Sequence, residues 1–314
     1  MTETSAVSAG RCVLVTGATG GIGQRLVRAL QQQGYQVRLA VRSLPKAAAL
    51  FPEAELVRWE AGMPVPETML QGVWGIVNLA GAPIARRWTA AYRQEIFRSR
   101  VETTRALAGA LSSGGHEVQV FLSVSATGYY GDRGEELCTE STPAGRDFLA
   151  QVCAAWEAAA QEAASRVRVV IPRLGIVLDR RAGFLPRLMP AFRFFVGGTL
   201  GSGQQWVPWV HWSDVVGFVL WALRTPAVQG VYNVVAPQPV RFRELCQLLG
   251  RLLRRPCWLS VPGWVLRLRY GALVQALLSS QRVIPHRAHA EGFRFQFPEL
   301  EAALRAELSG ETKA

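Results

Sequence analysis

Short apolar runs alternate with amphipathic stretches along the first half of the chain. Residues 12–15 are small and apolar, as in a strand buried on both faces, and apolar residues then recur at helical spacing between Ile22 and Leu30. The same alternation predicts strands at 36–41, 55–59, 75–79, 118–124 and 167–171, and helices at 88–111 and 148–164. Because strands that alternate with helices form a sheet covered on both faces, the pattern predicts an α/β fold with a doubly wound parallel sheet.

The pattern changes after residue 180. Residues 183–203 are rich in glycine, proline, phenylalanine and arginine and follow neither period, whereas 215–223 and 242–253 are predicted helices and 231–235 a strand. Residues 256–314 are predicted to add a strand, a helix and a tail, and the small polar residues 1–10 form a predicted disordered tail. We therefore expect a main domain over 11–180, to which 205–235 returns, and a smaller C-terminal substrate lobe from 181–204 and 236–308.

The composition is that of a globular protein with a large core, since 49% of the 314 residues are hydrophobic and 18% are charged. Five cysteines without metal-ligand spacing favour a reduced, cytoplasmic protein with no metal site. No apolar run approaches the ~20 residues of a membrane span, so we expect no membrane partner. The net charge of +12 comes from scattered arginines rather than a basic tail, which argues against a nucleic-acid partner; an arginine-rich host composition or an anionic substrate explains it equally.

A glycine-rich turn separates the first strand from the first helix. Gly17, Gly20 and Gly23 follow one another at three-residue spacing. In a dinucleotide site the first glycine permits a tight turn, the second lets the backbone approach the pyrophosphate, and the third lets helix and strand pack closely. A plain strand-to-helix turn is the alternative, but this context favours a Rossmann-type dinucleotide site. The loop residues that we expect to contact the cofactor are Gly17, Thr19, Gly20, Gly21, Ile22 and Gly23.

The end of the second strand indicates which dinucleotide binds. An NAD site places an acidic residue about 20 residues beyond the glycine loop, where it accepts hydrogen bonds from the adenosine ribose. No acidic residue occurs between Gly23 and Glu53, and Val41, Arg42 and Ser43 stand at the strand end instead. A guanidinium there would pair with a 2′-phosphate, although a solvated arginine is the simpler alternative. The missing carboxylate favours NADP(H) as the cofactor.

Small and hydroxylated residues follow the fourth and fifth predicted strands. Residues 80–82 read Ala-Gly-Ala, and residues 123–131 read Ser-Val-Ser-Ala-Thr-Gly-Tyr-Tyr-Gly. The carboxyl ends of parallel strands are where open α/β sheets bind ligands, so these loops are the expected location of the chemistry. An ordinary turn is the alternative for residues 80–82.

Taken together, these motifs resemble the extended short-chain dehydrogenase/reductases, also called the NAD-dependent epimerase/dehydratase family. The residues that carry the resemblance are the glycine turn at 16–23 and the serine loop at 123–131. Within that family, the chain resembles the branch of epimerase family proteins, some of which carry a cell-division-inhibitor label. This narrower resemblance rests on residues 78–81, 99–105, 156–160, 209–211, 281–285 and 292–298, and the last two segments resemble that branch's own C-terminal domain.

The resemblance implies further cofactor contacts. Leu79, Ala80 and Val177 would flank the cofactor, and Glu95 and Arg100 would lie on the helix beside it. Arg100 would help to neutralise phosphate, and Glu95 would orient Arg100 or a ribose hydroxyl. Gly81 and Ser123 complete the predicted contacts at the strand ends. The family also implies a homodimer formed through paired helices.

The chain departs from the family at the proton relay. The family uses a Tyr-x-x-x-Lys pair on the helix after the serine loop, but residues 148–158 contain neither residue, and Cys153 and Glu157 occupy the two positions. Cys153 as a core residue is the simpler interpretation. Ser125 would still polarise a carbonyl, and Tyr129, Tyr130 or His211 would supply a proton. Tyr130 could instead pack under the loop, and His211 could be a hydrogen-bonded histidine at a strand end.

Two functional hypotheses follow. The first is an NADP(H)-binding oxidoreductase or epimerase-like enzyme that acts on a small oxygenated substrate with an unusual acid/base set. The alternative is a non-catalytic dinucleotide-binding sensor or regulator that has lost the relay, in line with the division-related label of the branch. A nucleic-acid-binding or division protein is a third hypothesis that rests only on the basic charge and that label.

Overall fold

An eight-stranded sheet forms the centre of the molecule, which is described by a computed structural model over residues 10–309. The predicted disordered tail at 1–10 therefore lies, except for Gly10, outside the described residues. The strands are β1 (Cys12–Thr16), β2 (Gln36–Val41), β3 (Glu55–Arg58), β4 (Val73–Asn78), β5 (Val120–Ser123), β6 (Ser125–Ala126), β7 (Leu137–Cys138), β8 (Arg168–Leu174), β9 (Ile176–Leu178), β10 (Gly197–Leu200), β11 (Trp206–Val207), β12 (Trp209–His211), β13 (Gly230–Val234), β14 (Val240–Arg241), β15 (Cys257–Val261) and β16 (Arg282–Val283).

The helices alternate with the strands of the main sheet and continue beyond it. They are α1 (Gly21–Gln32), α2 (Leu44–Leu50), α3 (Glu67–Leu70), α4 (Ala90–Ser113), α5 (Phe148–Gln161), α6 (Leu185–Arg193), α7 (Trp212–Arg224), α8 (Phe242–Leu253), α9 (Gly263–Tyr270), α10 (Leu273–Leu278), α11 (His286–Ala290) and α12 (Leu300–Ser309). A short 3-10 helix, Thr127–Tyr130, follows β6. In the described part of the chain, none of the helices combines the length and the apolar content needed to span a bilayer.

The main sheet has the strand order β13-β8-β5-β4-β1-β2-β3, and every neighbouring pair is parallel. The short strand β6 continues beyond β5 and also pairs with β8. From β1 the chain thus adds β2 and β3 on one side of the sheet, and then β4, β5, β8 and β13 on the other. This order confirms the predicted doubly wound Rossmann-type fold, and it places the switch point between β1 and β4.

Side chains alternate between the two faces of the sheet, and each face packs against its own helices. Val13 and Val15 of β1 share a buried cluster with α1 and α7, whereas Leu14 lies in a second cluster with α4 and α5. All five residues of β1 are buried, as the apolar run predicts. The strand ends that carry the candidate site are therefore fixed from both faces of the sheet.

The second half of the chain adds a smaller lobe with its own core. Strands β10 and β15 pair in parallel, and α6, α8 and α12 pack around Phe192, Trp209 and Phe242. Within residues 205–235, α7 and β13 join the main sheet, whereas β11 pairs with β14 and β12 pairs with β9. The lobe consequently lies against the carboxyl ends of the sheet, where β8 leads into β9.

Candidate functional site

The glycine turn has the geometry of a phosphate-binding loop. Gly17 adopts a positive φ of 69°, and a Cβ there would lie 2.7 Å from the Leu79 carbonyl carbon. A Cβ on Gly23 would lie 2.3 Å from the Gly17 carbonyl oxygen, so neither position accepts a side chain. A Cβ on Gly20 would meet only the Gly17 oxygen, at 3.3 Å, which leaves the loop open to a ligand. No side chain caps α1 and no acidic residue lies in its first turn, so its amides can face an anion.

A segment from the lobe approaches the same turn. Ala182 Cβ would lie 2.6 Å from a Cβ on Gly21, and Asp179 lies beside it. The Asp179 carboxylate is buried and accepts two hydrogen bonds from Arg25, at 2.7 and 3.1 Å. Arg25 also stacks on the ring of Trp212. Because Arg25 compensates the carboxylate, Asp179 does not leave an uncompensated negative charge at the start of α1.

Arg42 stands at the carboxyl end of β2, next to the buried Val41 and the exposed Ser43. Its side chain is exposed and makes no hydrogen bond or ion pair with any of residues 10–309. Glu55 on the neighbouring strand pairs with Arg38 instead, at 2.8 Å. A free guanidinium on the edge beside the glycine turn is thus available to a ligand phosphate.

The remaining predicted cofactor residues divide into three groups. Leu79, Ala80, Gly81, Arg100 and Val177 line one cavity, together with Ser125. Ser123 is buried and accepts a hydrogen bond from Asn78, which places it in the interior of the sheet. Glu95 is exposed on α4 and outside the cavity lining.

Arg100 is a buried guanidinium beside Gly81. It donates to the carbonyl oxygens of Ala82 and Ile96 rather than to Glu95, so the expectation that Glu95 orients it does not hold. No carboxylate within residues 10–309 forms an ion pair with Arg100. Burial lowers the pKa of Arg100 from its ordinary value. Guanidinium groups stay protonated in proteins, so Arg100 carries its charge. A bound anion would therefore compensate this charge.

The cavity lies between the sheet and the lobe and has a volume of about 430 Å³. At its floor the Ser125 hydroxyl donates to the Glu157 carboxylate, with an Oγ–Oε1 distance of 2.6 Å. Arg173 donates to both oxygens of Glu157, at 2.8 Å each, and both side chains are buried. Although burial opposes a charged guanidinium, its bonds to Glu157 raise the pKa of Arg173 above its ordinary value. The result is a charge-compensated triad that fixes Ser125.

The two tyrosines of the serine loop lie behind this triad. The Tyr130 hydroxyl donates to Asn233 and accepts from Arg173, and its side chain is fully buried outside the cavity lining. Burial raises the pKa of Tyr130 to about 12. The ring of Tyr129 packs against the Arg173 guanidinium, 3.4 Å from its centroid. This position does not support Tyr130 as the proton donor, because its hydroxyl holds Arg173 instead of facing a substrate.

Cys153, which spacing from Ser125 assigns to the family's tyrosine position, lines the cavity. Burial and the nearby Glu157 raise the pKa of Cys153 to about 12, so the thiol is neutral near pH 7. A neutral buried thiol is a poor nucleophile and a weak hydrogen-bond donor. Its contribution to the cavity is therefore one of shape.

His211 is fully buried at the end of β12, outside the cavity lining. Its Nδ1 accepts from the Ser213 amide and lies 2.7 Å from the Ser213 hydroxyl, so its Nε2 is assigned as the donor to Glu307, at 3.0 Å. Both ring nitrogens are thus occupied. This geometry does not support a catalytic role for His211, which instead joins β12 to the C-terminal helix α12.

Glu307 makes this junction sensitive to acid. Burial opposes its charge, but bonds from His211, Arg180 and Trp212 outweigh burial and lower the pKa of Glu307. Because the folded pKa is lowered, the carboxylate stabilises the fold above its ordinary pKa and loses this effect as the pH falls through the lowered value.

We expect Glu307→Gln to reduce the free energy of unfolding by about 1–3 kcal/mol at pH 7 and by less at pH 4, as measured by urea denaturation.

Glu301→Gln is the matched control, because Glu301 lies on the same helix in an exposed pair with Arg305. It should change stability by less than about 0.5 kcal/mol at either pH. An equal loss for Glu307→Gln at both pH values would show that its ionisation is irrelevant.

Glu157 and Arg173 are the site residues that sequence reasoning missed. The sequence placed Glu157 at the second position of the relay without giving it a role, and nothing in the sequence singled out Arg173. The signal available in the sequence is that Ser125 and Arg173 each follow a predicted strand, 118–124 and 167–171, and the carboxyl ends of parallel strands share one edge of the sheet. In the structure Arg173 is the penultimate residue of β8 and pairs with Ser125, the first residue of β6. Opposite residues of paired strands lie close together, so a carboxylate from α5 can join both.

Comparisons with known proteins agree with this geometry. Residues 13–235 match the model of the NAD dependent epimerase/dehydratase family, and residues 261–307 match a domain of unknown function (DUF1731). The chloroplastic epimerase family protein SDR39U1 homolog of Arabidopsis thaliana is 40% identical over 301 residues, which cover 94% of this chain and 86% of the relative.

Two solved structures are similar over nearly the whole chain. The crystal structure of human epimerase family protein SDR39U1 (isoform 2) with NADPH has a TM-score of 0.85 at 33% identity and covers 96% of this chain and 100% of that one. The nucleoside-diphosphate sugar epimerase of Corynebacterium glutamicum has a TM-score of 0.78 at 29% identity, over 97% of this chain and 60% of that one. Both parts of the chain thus have counterparts, in agreement with the resemblance in the sequence.

Proposed function

The chain belongs to the NAD dependent epimerase/dehydratase family, and we propose that it is an NADP(H)-dependent oxidoreductase that interconverts a carbonyl compound and its alcohol. The observation that carries this proposal is the joint placement of an open glycine turn, a free Arg42 and a cavity with Ser125 at its floor. All three lie at the carboxyl edge of the sheet, where this fold binds its ligands.

The residues present fit NADP(H) better than NAD(H). The glycine turn would hold the pyrophosphate, and Arg42 would bind the 2′-phosphate that distinguishes the two cofactors. Leu79, Ala80 and Val177 would flank the cofactor, and Arg100 would help to compensate the charge of its phosphates. The NADPH in the human relative supports this choice.

When bound, NADP(H) supplies or accepts a hydride. The chain then has to orient the substrate oxygen and move one proton. Ser125 is the hydroxyl at the cavity floor, and its hydrogen bond to Glu157 links it to a buried carboxylate. In the oxidising direction the substrate hydroxyl gives its proton to Ser125 as Ser125 gives its own to Glu157, and in the reducing direction both protons return.

The alternative is a sensor that binds the dinucleotide without turnover. The observation in its favour is that the family's tyrosine position holds Cys153, whose thiol is neutral and buried. Tight NADPH binding without oxidation of NADPH by any carbonyl compound would favour the sensor.

The Arg42→Ala variant tests the cofactor assignment. We expect its Kd for NADPH to rise about tenfold to a hundredfold, because one charge-assisted interaction with phosphate is lost, and its Kd for NADH to change by less than about twofold. Isothermal titration calorimetry with both nucleotides measures the difference.

The Arg28→Ala variant is the matched control, since Arg28 is exposed on α1 and its loss removes the same charge. It should leave both affinities within about twofold of the unmodified protein. Equal losses for NADPH and NADH in Arg42→Ala would contradict a 2′-phosphate contact.

A reducing, cytoplasmic location, a small-molecule substrate and a homodimer complete the proposal. The five cysteines are free thiols, four of them buried, as suits a reducing compartment.

A further inference from the structure

Large apolar side chains form much of the cavity wall. Trp88, Phe148, Phe184, Leu200, Phe242 and Leu273 all line it. They come from the loop before α4, from α5 and from the lobe, so several separate elements contribute apolar side chains to one space. Ligand sites of this composition gain affinity by burying apolar surface.

Charged side chains are almost absent from this wall. Among residues 10–309, only Arg100 and Asp147 are charged side chains that line the cavity, although the chain has 35 lysines and arginines. Asp147 caps α5 by accepting from the Ala150 amide. Arg100 lies on the cofactor side, with its Cζ 3.1 Å from where a Cβ on Gly81 would be. None of the lining residues that the described part of the lobe contributes is a cation.

A nucleotide sugar needs positively charged side chains, which this wall lacks. Its diphosphate carries negative charges that are paired with arginine or lysine when they are buried. The polar groups on the lobe side are neutral, and two of them, Gln205 and Gln281, are themselves buried. Gln205 also donates to the Leu200 carbonyl oxygen. Such a surface can take a neutral polar group but not a diphosphate.

We propose that the substrate is an uncharged ketone or aldehyde, or its alcohol, with an extended apolar body, and that nucleotide sugars are excluded. This inference rests on the proposed function, because it assumes that the carbonyl oxygen meets Ser125. The apolar body then lies against Trp88, Phe184 and Leu273, whereas Ala80 and Val177 would contact the cofactor.

The test separates binding from turnover. A series of 2-alkanones from 2-butanone to 2-decanone is titrated into the protein loaded with NADP⁺, a state that cannot reduce them, and Kd is measured from tryptophan fluorescence. Affinity should rise about threefold to fourfold for each added methylene until the cavity is filled. UDP-glucose and UDP-glucuronic acid should show no saturable binding at millimolar concentrations. A flat series, or tighter binding of either nucleotide sugar, would overturn the proposal.

A charge placed in the wall gives an independent check. Leu200→Arg should weaken 2-decanone binding by at least about tenfold, because a buried cation opposes an apolar ligand. Leu268→Arg, the same change at a side chain of the lobe that is 73% exposed, should leave it unchanged. An unchanged Kd for NADPH shows that each variant is folded, and equal alkanone binding by the two variants would contradict the proposed wall.

The two proposals fail in different ways. Suppose that the alkanones bind with the expected dependence on length but the NADPH-loaded protein reduces none of them. The cavity then binds uncharged apolar ligands as proposed, and the oxidoreductase function is contradicted. If NADPH is oxidised with a nucleotide sugar and not with an alkanone, the oxidoreductase function stands and the apolar substrate falls.

Discussion

Replacing Arg173 by methionine is expected to lower the free energy of unfolding by about 3–5 kcal/mol, among the largest effects of a single substitution in this chain. The variant leaves Glu157 buried without its two charge-assisted hydrogen bonds, and it also removes the donor to the Tyr130 hydroxyl. A buried carboxylate without a partner destabilises the folded state strongly. This loss is far larger than the stability that an intact buried ion pair gives relative to apolar residues at the same positions. Urea denaturation at pH 7 measures the loss.

Arg98→Met is the matched control, because Arg98 pairs with Glu102 on the surface of α4, where the arginine is 58% exposed. It should change stability by less than about 0.5 kcal/mol. The double variant Arg173→Met/Glu157→Gln should recover part of the loss, because it removes both charges. An Arg173→Met variant as stable as Arg98→Met would contradict a buried, charge-compensated triad.

Ser125→Ala is expected to lower kcat for NADPH-dependent reduction by about 10²–10³-fold. The variant removes the hydroxyl that orients the substrate oxygen and carries the proton to or from Glu157. NADPH oxidation, followed by absorbance with the 2-alkanone that binds most tightly, measures the effect.

The affinity of Ser125→Ala for NADPH should stay within about twofold of the unmodified protein, because the glycine turn and Arg42 are untouched. Ser113→Ala, at an exposed serine near the end of α4, controls for the general loss of a hydroxyl. If turnover in Ser125→Ala fell by less than about fivefold, the proton would have to come from another group, and the proposed role of Ser125 would be wrong.

The sequence predicted most accurately where one local pattern determines the structure. The apolar run of β1, the three glycines and the amphipathic α1 were all recognisable, because each follows from its own residues. The predicted helix at 242–253 coincides with α8, whose apolar positions keep a helical period. The loops at the carboxyl ends of the strands were also predicted. The strict alternation of strands and helices determines the order of the strands in a doubly wound sheet.

Pairing between distant segments was harder to predict. Residues 197–200 form β10 although two of them are glycines, because β10 pairs with β15, about sixty residues away in sequence. A Cβ on Gly198 would lie 1.6 Å from the Leu259 carbonyl oxygen, so glycine is what this close approach requires. The propensity of the segment argued for a loop, and tertiary packing decided otherwise.

The same limit applies to the candidate site. His211 and Tyr130 were reasonable candidates from their loops, but their hydrogen bonds to Glu307 and Asn233 come from segments about a hundred residues away. Spacing from Ser125 assigned Cys153 and Glu157 to the two positions of the family's proton relay. Spacing could not reveal that Glu157 forms an ion pair with Arg173 instead of facing a thiolate at Cys153.

The central claim is that the glycine turn and Arg42 together select NADP(H). Isothermal titration calorimetry of the unmodified protein with NADPH and with NADH tests it most directly. We expect one NADPH per chain, bound at least about tenfold more tightly than NADH. Equal affinities would contradict the role of Arg42, and a protein that binds neither nucleotide would contradict the proposed function as a whole.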